Sequence, residues 1–340
     1  MNTKELGCTV QAMLAGDKGL LAMDESIPNC HKRFAALGIP QTEDMRRAYR
    51  DLIVTTPGLG EAISGAILFD ETMRQKTKDG RLFIDILKKA GIVPGIKVDK
   101  GAHELAGFPG EKVTDGLDDL RKRLADYHQE GARFAKWRAV ITIGEGIPTQ
   151  ECYELNAYTL ARYAALCQEA SIVPIVEPEV LMDGTHTIEQ CAKATEGVLV
   201  ALFAELRKQR VVLEYTILKP NMVLSALNCP KQASVEEVAD TSVEVYMRAV
   251  PAAIPGIVFL SGGQPADLAS ARLSAIHTRH TGKLPWEVTF SYSRAVQQPC
   301  LELWAGKDAN IAPAQKALYH RAMCNKAARR GEYTPAMEKA

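Results

Sequence analysis

Phe134-Ala135-Lys136-Trp137-Arg138-Ala139-Val140-Ile141, a helical pattern over 150–169, then Val173-Pro174-Ile175-Val176 make one unit of this chain. The two apolar runs are nearly continuous, as expected of strands buried on both faces, and the stretch between them is long and amphipathic. Strand, crossover helix and strand form the βαβ unit of a parallel sheet. The rhythm extends in both directions. Apolar runs fall at 20–23, 63–69, 93–98, 134–141, 173–176, 215–218, 257–260 and 288–292. Amphipathic stretches separate them at 42–52, 82–90, 116–130, 150–169, 188–208, 235–250 and 266–278. Eight such units fit a closed (β/α)8 barrel better than an open sheet. The reading is an α/β protein, one TIM-barrel domain over 1–340, with additional basic helices from about Pro299 and a loose tail at 333–340. No Gly-x-Gly-x-x-Gly follows the first run, which argues against a dinucleotide fold.

With 46% hydrophobic and 24% charged residues, the chain has the composition of a soluble globular enzyme. Its formal net charge of zero points to neither nucleic acid nor a membrane surface, so an anion site must be built locally. The N-terminus lacks a basic segment followed by an apolar one, and no run reaches transmembrane length. Eight cysteines stand singly, without C-x-x-C, as expected of reduced thiols in the cytoplasm. His277 and His280 stand three apart with no nearby partner in sequence, and read as surface helix residues rather than a metal site. No metal and no cofactor is expected.

Polar residues gather after the strands. The first ends in Asp24, Glu25 and Ser26; the third carries Lys97 and Asp99; the fourth, Lys136 and Arg138. The fifth ends in Glu177-Pro178-Glu179, the seventh in Ser261-Gly262-Gly263, and the eighth in Ser291, Ser293 and Arg294. The sixth is the apolar run Val211–Leu218, read as a buried strand that Pro220 stops just after Lys219. In a barrel these ends share one rim, where active sites are assembled.

Taken singly, each feature has a plain structural reading. A strand-end lysine can snorkel to water, Ser261-Gly262-Gly263 can be a tight turn, and Asp24 and Glu177 can be ion-pair partners of Lys136. Together they describe chemistry on a phosphorylated ketone. The glycine turn before a helix and Arg294 would hold a phosphate. Lys219 would attack the carbonyl while the like charge of Lys136 keeps it partly neutral. Glu177, as a carboxylic acid, would protonate the departing hydroxyl, and Asp24 would serve as base for carbon–carbon cleavage. A second phosphate would fall to Arg33 or Lys97.

With these residues named, the chain resembles the class I, Schiff-base-forming fructose-bisphosphate aldolases. The resemblance rests on Leu20-Leu21-Ala22-Met23-Asp24-Glu25-Ser26, Pro94-Gly95-Ile96-Lys97-Val98-Asp99, Gly131-Ala132-Arg133-Phe134-Ala135-Lys136-Trp137-Arg138, Leu218-Lys219-Pro220-Asn221 and Phe259-Leu260-Ser261-Gly262-Gly263-Gln264. It implies metal-independent cleavage of fructose 1,6-bisphosphate to dihydroxyacetone phosphate and glyceraldehyde 3-phosphate, in glycolysis or gluconeogenesis. Lys219 would form the Schiff base, with Asp24, Lys136, Glu177 and Glu179 in acid–base roles. Ser261, Gly262, Gly263 and Arg294 would bind one phosphate, and Arg33, Lys97, Arg138 and Ser26 the other end. A homotetramer is implied from the same source. Two departures stand out. The loop Ile27-Pro28-Asn29-Cys30 replaces small polar residues, and the sequence ends at Ala340 without the family's terminal tyrosine. Enamine protonation is then expected to be slow or to fall to Glu177 or Glu179. Other readings are a Schiff-base aldolase for fructose 1-phosphate or sedoheptulose 1,7-bisphosphate, and a non-catalytic barrel scaffold.

Overall fold

Residues 1–339 are described by a computed structural model. Helix α1 (Thr3–Leu14) leads into β1 (Gly19–Met23), α2 (Ile27–Ala35) and α3 (Glu43–Val54). Strand β2 (Ile63–Leu68) is followed by α4 (Asp70–Arg74) and α5 (Phe83–Lys89). After β3 (Val93–Lys97) come a hairpin of β4 (Gly101–Glu104) and β5 (Lys112–Asp115), and then α6 (Leu120–Glu130). The alternation continues through β6 (Phe134–Ile141), α7 (Gln150–Glu169), β7 (Val173–Val180), α8 (Ile188–Lys208) and β8 (Ile217–Leu218). It ends with α9 (Val235–Ala249), β9 (Gly256–Phe259), α10 (Ala266–Arg279), β10 (Glu287–Tyr292), α11 (Arg294–Trp304) and α12 (Ile311–Arg329).

The eight strands outside the hairpin close into one barrel in the order β1-β10-β9-β8-β7-β6-β3-β2, every pair parallel. This is the expected α/β barrel with extra C-terminal helices. Its interior is filled by Leu20, Ala22, Ile67, Phe134, Val173, Ile175, Ile217 and Val258. Leu6, Val10, Met13 and Leu14 of α1 join the same cluster. Burying each large aliphatic there contributes about 1.5–3 kcal/mol. Phe134 needs room inside the ring, and Gly95 supplies it: a Cβ at that position would lie 2.2 Å from the Phe134 ring. Helices α8 and α9 start on side-chain caps. Thr187 and Ser234 form reciprocal capping boxes with Gln190 and Glu237, which satisfies backbone donors at α8 and α9.

Four expectations need correction. The run 211–218 is not one strand: Leu213–Tyr215 forms a 3-10 turn and only Ile217–Leu218 pair in the sheet. Residues 27–30 are no loop but the first turn of α2, with Pro28 in the opening turn where its missing N–H costs nothing. The segment 333–339 is docked rather than loose. Tyr333 is buried, Pro335–Lys339 coil into a 3-10 turn, and Glu338 accepts from Tyr333 Oη and pairs with buried Arg321; Ala340 lies outside the described residues. His280 does have an acidic neighbour, since its Nε2 lies 3.0 Å from Asp240 on α9, while His277 Nε2 meets the carbonyl of Val288. No other metal-ligating side chain joins that pair among the described residues.

Candidate active site

Parallel pairing dictates which side chains meet at the rim. Lys97 on β3 lies opposite Lys136 on β6, and Arg138 on β6 lies opposite Glu177 on β7. Side chains two apart on a strand share a face, so Lys136 and Arg138 both point into the cavity while Trp137 packs outward against Tyr163. Lys219 is carried just past β8, its backbone N–H bonded to the Val176 carbonyl. Asn221 fixes the following turn, since its Oδ1 accepts from the Val180 N–H.

These elements enclose a cavity of about 650 Å³ at the carboxyl ends of the strands. Every residue given a catalytic or binding role from the sequence lines it: Asp24, Ser26, Arg33, Lys97, Lys136, Arg138, Glu177, Glu179, Lys219, Ser261, Gly262, Gly263 and Arg294. At its floor stands a chain of alternating charge. Lys136 Nζ lies 2.8 Å from Asp24 Oδ2 and 3.1 Å from Glu177 Oε2, and the other Glu177 oxygen lies 3.1 Å from Lys219 Nζ. Both lysines and Glu177 have side chains only 4% exposed, so these pairs are screened little by water.

The charge states follow from that arrangement. Burial alone would raise the Glu177 pKa, but Lys136, Lys219 and Arg138 outweigh it and bring it down to about 2. Glu177 is therefore ionised in the free site, and takes up a proton before it can act as the carboxylic acid expected from the sequence. Burial would likewise lower the Lys136 pKa, and Asp24, Glu177 and Asp99 together hold it above the ordinary lysine range. Lys136 thus remains a cation, and the carboxylate of Glu177 stands between it and Lys219, replacing the direct repulsion expected of two adjacent ammoniums.

Opposite the floor lies an anion cradle. Gly262 and Gly263 both take positive φ, +60° and +102°, in a turn closed by the Gln264 N–H on the Ser261 carbonyl. A Cβ at Gly263 would fall 2.7 Å from Arg294 Nη2, so glycine lets the guanidinium rest against the turn. Arg294 makes no hydrogen bond or ion pair among the described residues. Enclosure by the cavity wall, and then the neighbouring charge of Arg33, lower its pKa. An anion would relieve both.

The remaining cations are held by partners. Lys97 Nζ pairs with Asp99 at 2.6 Å, and Arg138 pairs with Glu179, whose attraction holds the guanidinium pKa above its usual value. Arg33 bonds Glu25 at 2.6 Å and Ser293, the residue before Arg294, at 3.1 Å. It therefore stands beside the cradle rather than at the far end with Lys97. Sequence reasoning passed over Glu25 as a functional residue and did not name Arg50 or Gln297, its buried partners at 2.5 and 2.9 Å. Arg50 lies on the buried face of an amphipathic helix, and an arginine at an apolar position was the only signal available.

The parallel barrel thus gathers an amine, a carboxylate and a glycine turn backed by an arginine at one rim. Residues 5–340 match the family model for class I fructose-bisphosphate aldolase, glycolytic. The chain is 56% identical over 335 residues to a probable fructose-bisphosphate aldolase class 1 of Xanthomonas axonopodis pv. citri, covering 98% of this chain and 99% of the relative. It is 51% identical over 316 residues to the cytosolic fructose-bisphosphate aldolase 4 of Arabidopsis thaliana, covering 93% and 80%. Fructose-bisphosphate aldolase from Plasmodium falciparum, solved in complex with TRAP and a small-molecule inhibitor, superposes with a TM-score of 0.95 at 45% identity, covering 97% and 95% of the two chains. The chain belongs to the class I fructose-bisphosphate aldolase family and is a lyase.

Proposed function

We propose that Lys219 carries the aldol cleavage of fructose 1,6-bisphosphate as a Schiff base, with Glu177, Lys136 and Asp24 moving or holding the protons. The observation that supports this reading is the bridge of Glu177 between two buried ammoniums beneath the cradle. As substrate displaces water, Lys219 passes a proton to Glu177 Oε1, the nearest base at 3.1 Å. The free amine adds to the C2 carbonyl, and the ammonium proton shifts to the new alkoxide. Glu177 returns its proton to that hydroxyl, which leaves as water, and a protonated imine remains. The imine draws in the C3–C4 bonding pair as Asp24 removes the C4 hydroxyl proton, so the aldehyde departs and an enamine is left. Protonation of the enamine carbon and hydrolysis free Lys219. Lys136 stays charged throughout, its ammonium 2.8 Å from Asp24 and 3.1 Å from Glu177.

The cradle of Ser261, Gly262, Gly263 and Arg294 binds the phosphate on the ketone side in this reading. Lys97, Arg138 and Ser26 face the other end, and Glu179 orients Arg138. Residues 1–340 are read as one domain, because α1 and α12 reach the same part of the barrel: Arg329 donates to the Leu14 carbonyl and pairs with Glu287. A cytoplasmic location accords with eight unpaired cysteines, and a homotetramer is the expected assembly, to be read by light scattering. Borohydride reduction with dihydroxyacetone phosphate, followed by peptide mapping, tests the mechanism. The adduct is expected on Lys219 and absent from Lys219→Ala; an adduct elsewhere overturns it.

A further inference from the structure

We infer that the Ser293 hydroxyl is a positioning group that docks Arg33 beside Arg294, so that the phosphate cradle has two guanidiniums rather than one. The inference rests on the phosphate site proposed above. A hydroxyl has one proton to give and two lone pairs. The Ser293 proton goes to Glu25 Oε1 at 2.8 Å, and its lone pairs face Arg33 Nη2 at 3.1 Å and Gln297 Nε2 at 3.2 Å. With its one proton committed to Glu25, Ser293 has none left for a ligand and acts through Arg33.

The anchor beneath it is firm. Glu25 Oε1 also accepts from Arg33 at 2.6 Å and Gln297 at 2.9 Å, and Oε2 accepts from buried Arg50 at 2.5 Å. Burial opposes its ionisation, but Arg50 and Arg33 prevail and hold the carboxyl well below the usual range. Gln297 is itself fixed, giving a hydrogen bond to the Ala22 carbonyl at 2.6 Å and accepting one from Tyr49 at 3.0 Å. Ser293 therefore joins two arms that are remote in sequence, α2 with Arg33 and the β10–α11 junction with Arg294. Without the hydroxyl, Glu25 still holds Nη1 of Arg33, but Nη2 loses its tie to the residue before Arg294 and is left facing a like charge.

The test is a double-mutant cycle of Ser293→Ala and Arg33→Ala, read by KM for fructose 1,6-bisphosphate and by competitive inhibition with inorganic phosphate. Ser293→Ala should raise KM and the phosphate inhibition constant about tenfold, the loss expected of one hydrogen bond to a charged group, with kcat within about twofold of wild type. The same change in an Arg33→Ala background should add nothing, and Ser293→Thr should restore most of the affinity. Equal effects in both backgrounds, or none in either, overturn the inference. Borohydride trapping on Lys219 is run in parallel: if it fails in wild type, the Schiff-base reading fails, and the cycle still reports on Ser293 separately.

Discussion

Replacing Glu177 by Gln keeps the shape at the centre of the site and removes one charge. In the folded protein this carboxyl titrates at about 2, against 4.5 when free of its neighbours. A folded pKa below the unfolded one means that stability is fully present above 4.5 and is lost as pH falls toward 2. The difference corresponds to about 3 kcal/mol at neutral pH, of which roughly three-fifths has gone by pH 3. Lys219 also loses its sole ion-pair partner among the described residues, and breaking a buried pair costs about 3–5 kcal/mol. Glu177→Gln should therefore be less stable than wild type by at least about 3 kcal/mol at pH 7. The gap should narrow steadily on acidification, because the wild-type side chain becomes neutral as well. Urea unfolding followed by circular dichroism at pH 7, 5, 4 and 3 measures it. A gap that is independent of pH, or a variant as stable as wild type at pH 7, would refute the ionised bridge. Turnover in the same variant should fall by about 10²–10⁴, the range for a lost general acid–base group.

Lys136→Met removes the cation between Asp24 and Glu177; kcat should drop about 10²-fold or more while borohydride still traps an adduct on Lys219, read by single-turnover kinetics and mass spectrometry. Gly263→Ala introduces a Cβ at φ +102° and 2.7 Å from Arg294; the inhibition constant of inorganic phosphate should rise about tenfold with the fold intact by circular dichroism. Glu338→Ala leaves buried Arg321 and Tyr333 without their shared acceptor; hydrogen exchange should rise over 333–339, with stability lower by about 1–3 kcal/mol.

The barrel could be read from the chain because strands buried on both faces leave long apolar runs, as in 134–141, and crossover helices leave amphipathic ones, as in 150–169. The same logic misled at 211–218. Aliphatic residues there cover a 3-10 turn whose Val212 carbonyl accepts from Gln168, a contact between elements that composition cannot express. The β4–β5 hairpin was missed because its strands are four residues each and mostly half-buried or exposed, leaving no alternation to detect. Positions of the site residues were legible because charges at strand ends interrupt apolar runs. Their protonation was not. Whether Glu177 is acid or base depends on which ammoniums flank it in space, and β6 and β8 come to lie on either side of β7 only when the sheet pairs. Arg50 and Gln297 were invisible for a related reason: both sit on helices and act through Glu25, so neither marks a strand end.

The bridge at Glu177 has a further consequence for how little the site must rearrange. An ammonium and a protonated imine carry the same charge on the same nitrogen. In the proposed mechanism, then, Glu177 faces an unchanged pair of cations after carbon–nitrogen bond formation, once its borrowed proton is returned, and Lys136 has no cause to move. The expensive work of gathering buried charges is finished when the barrel closes. On that mechanism, turnover would proceed in a field already set.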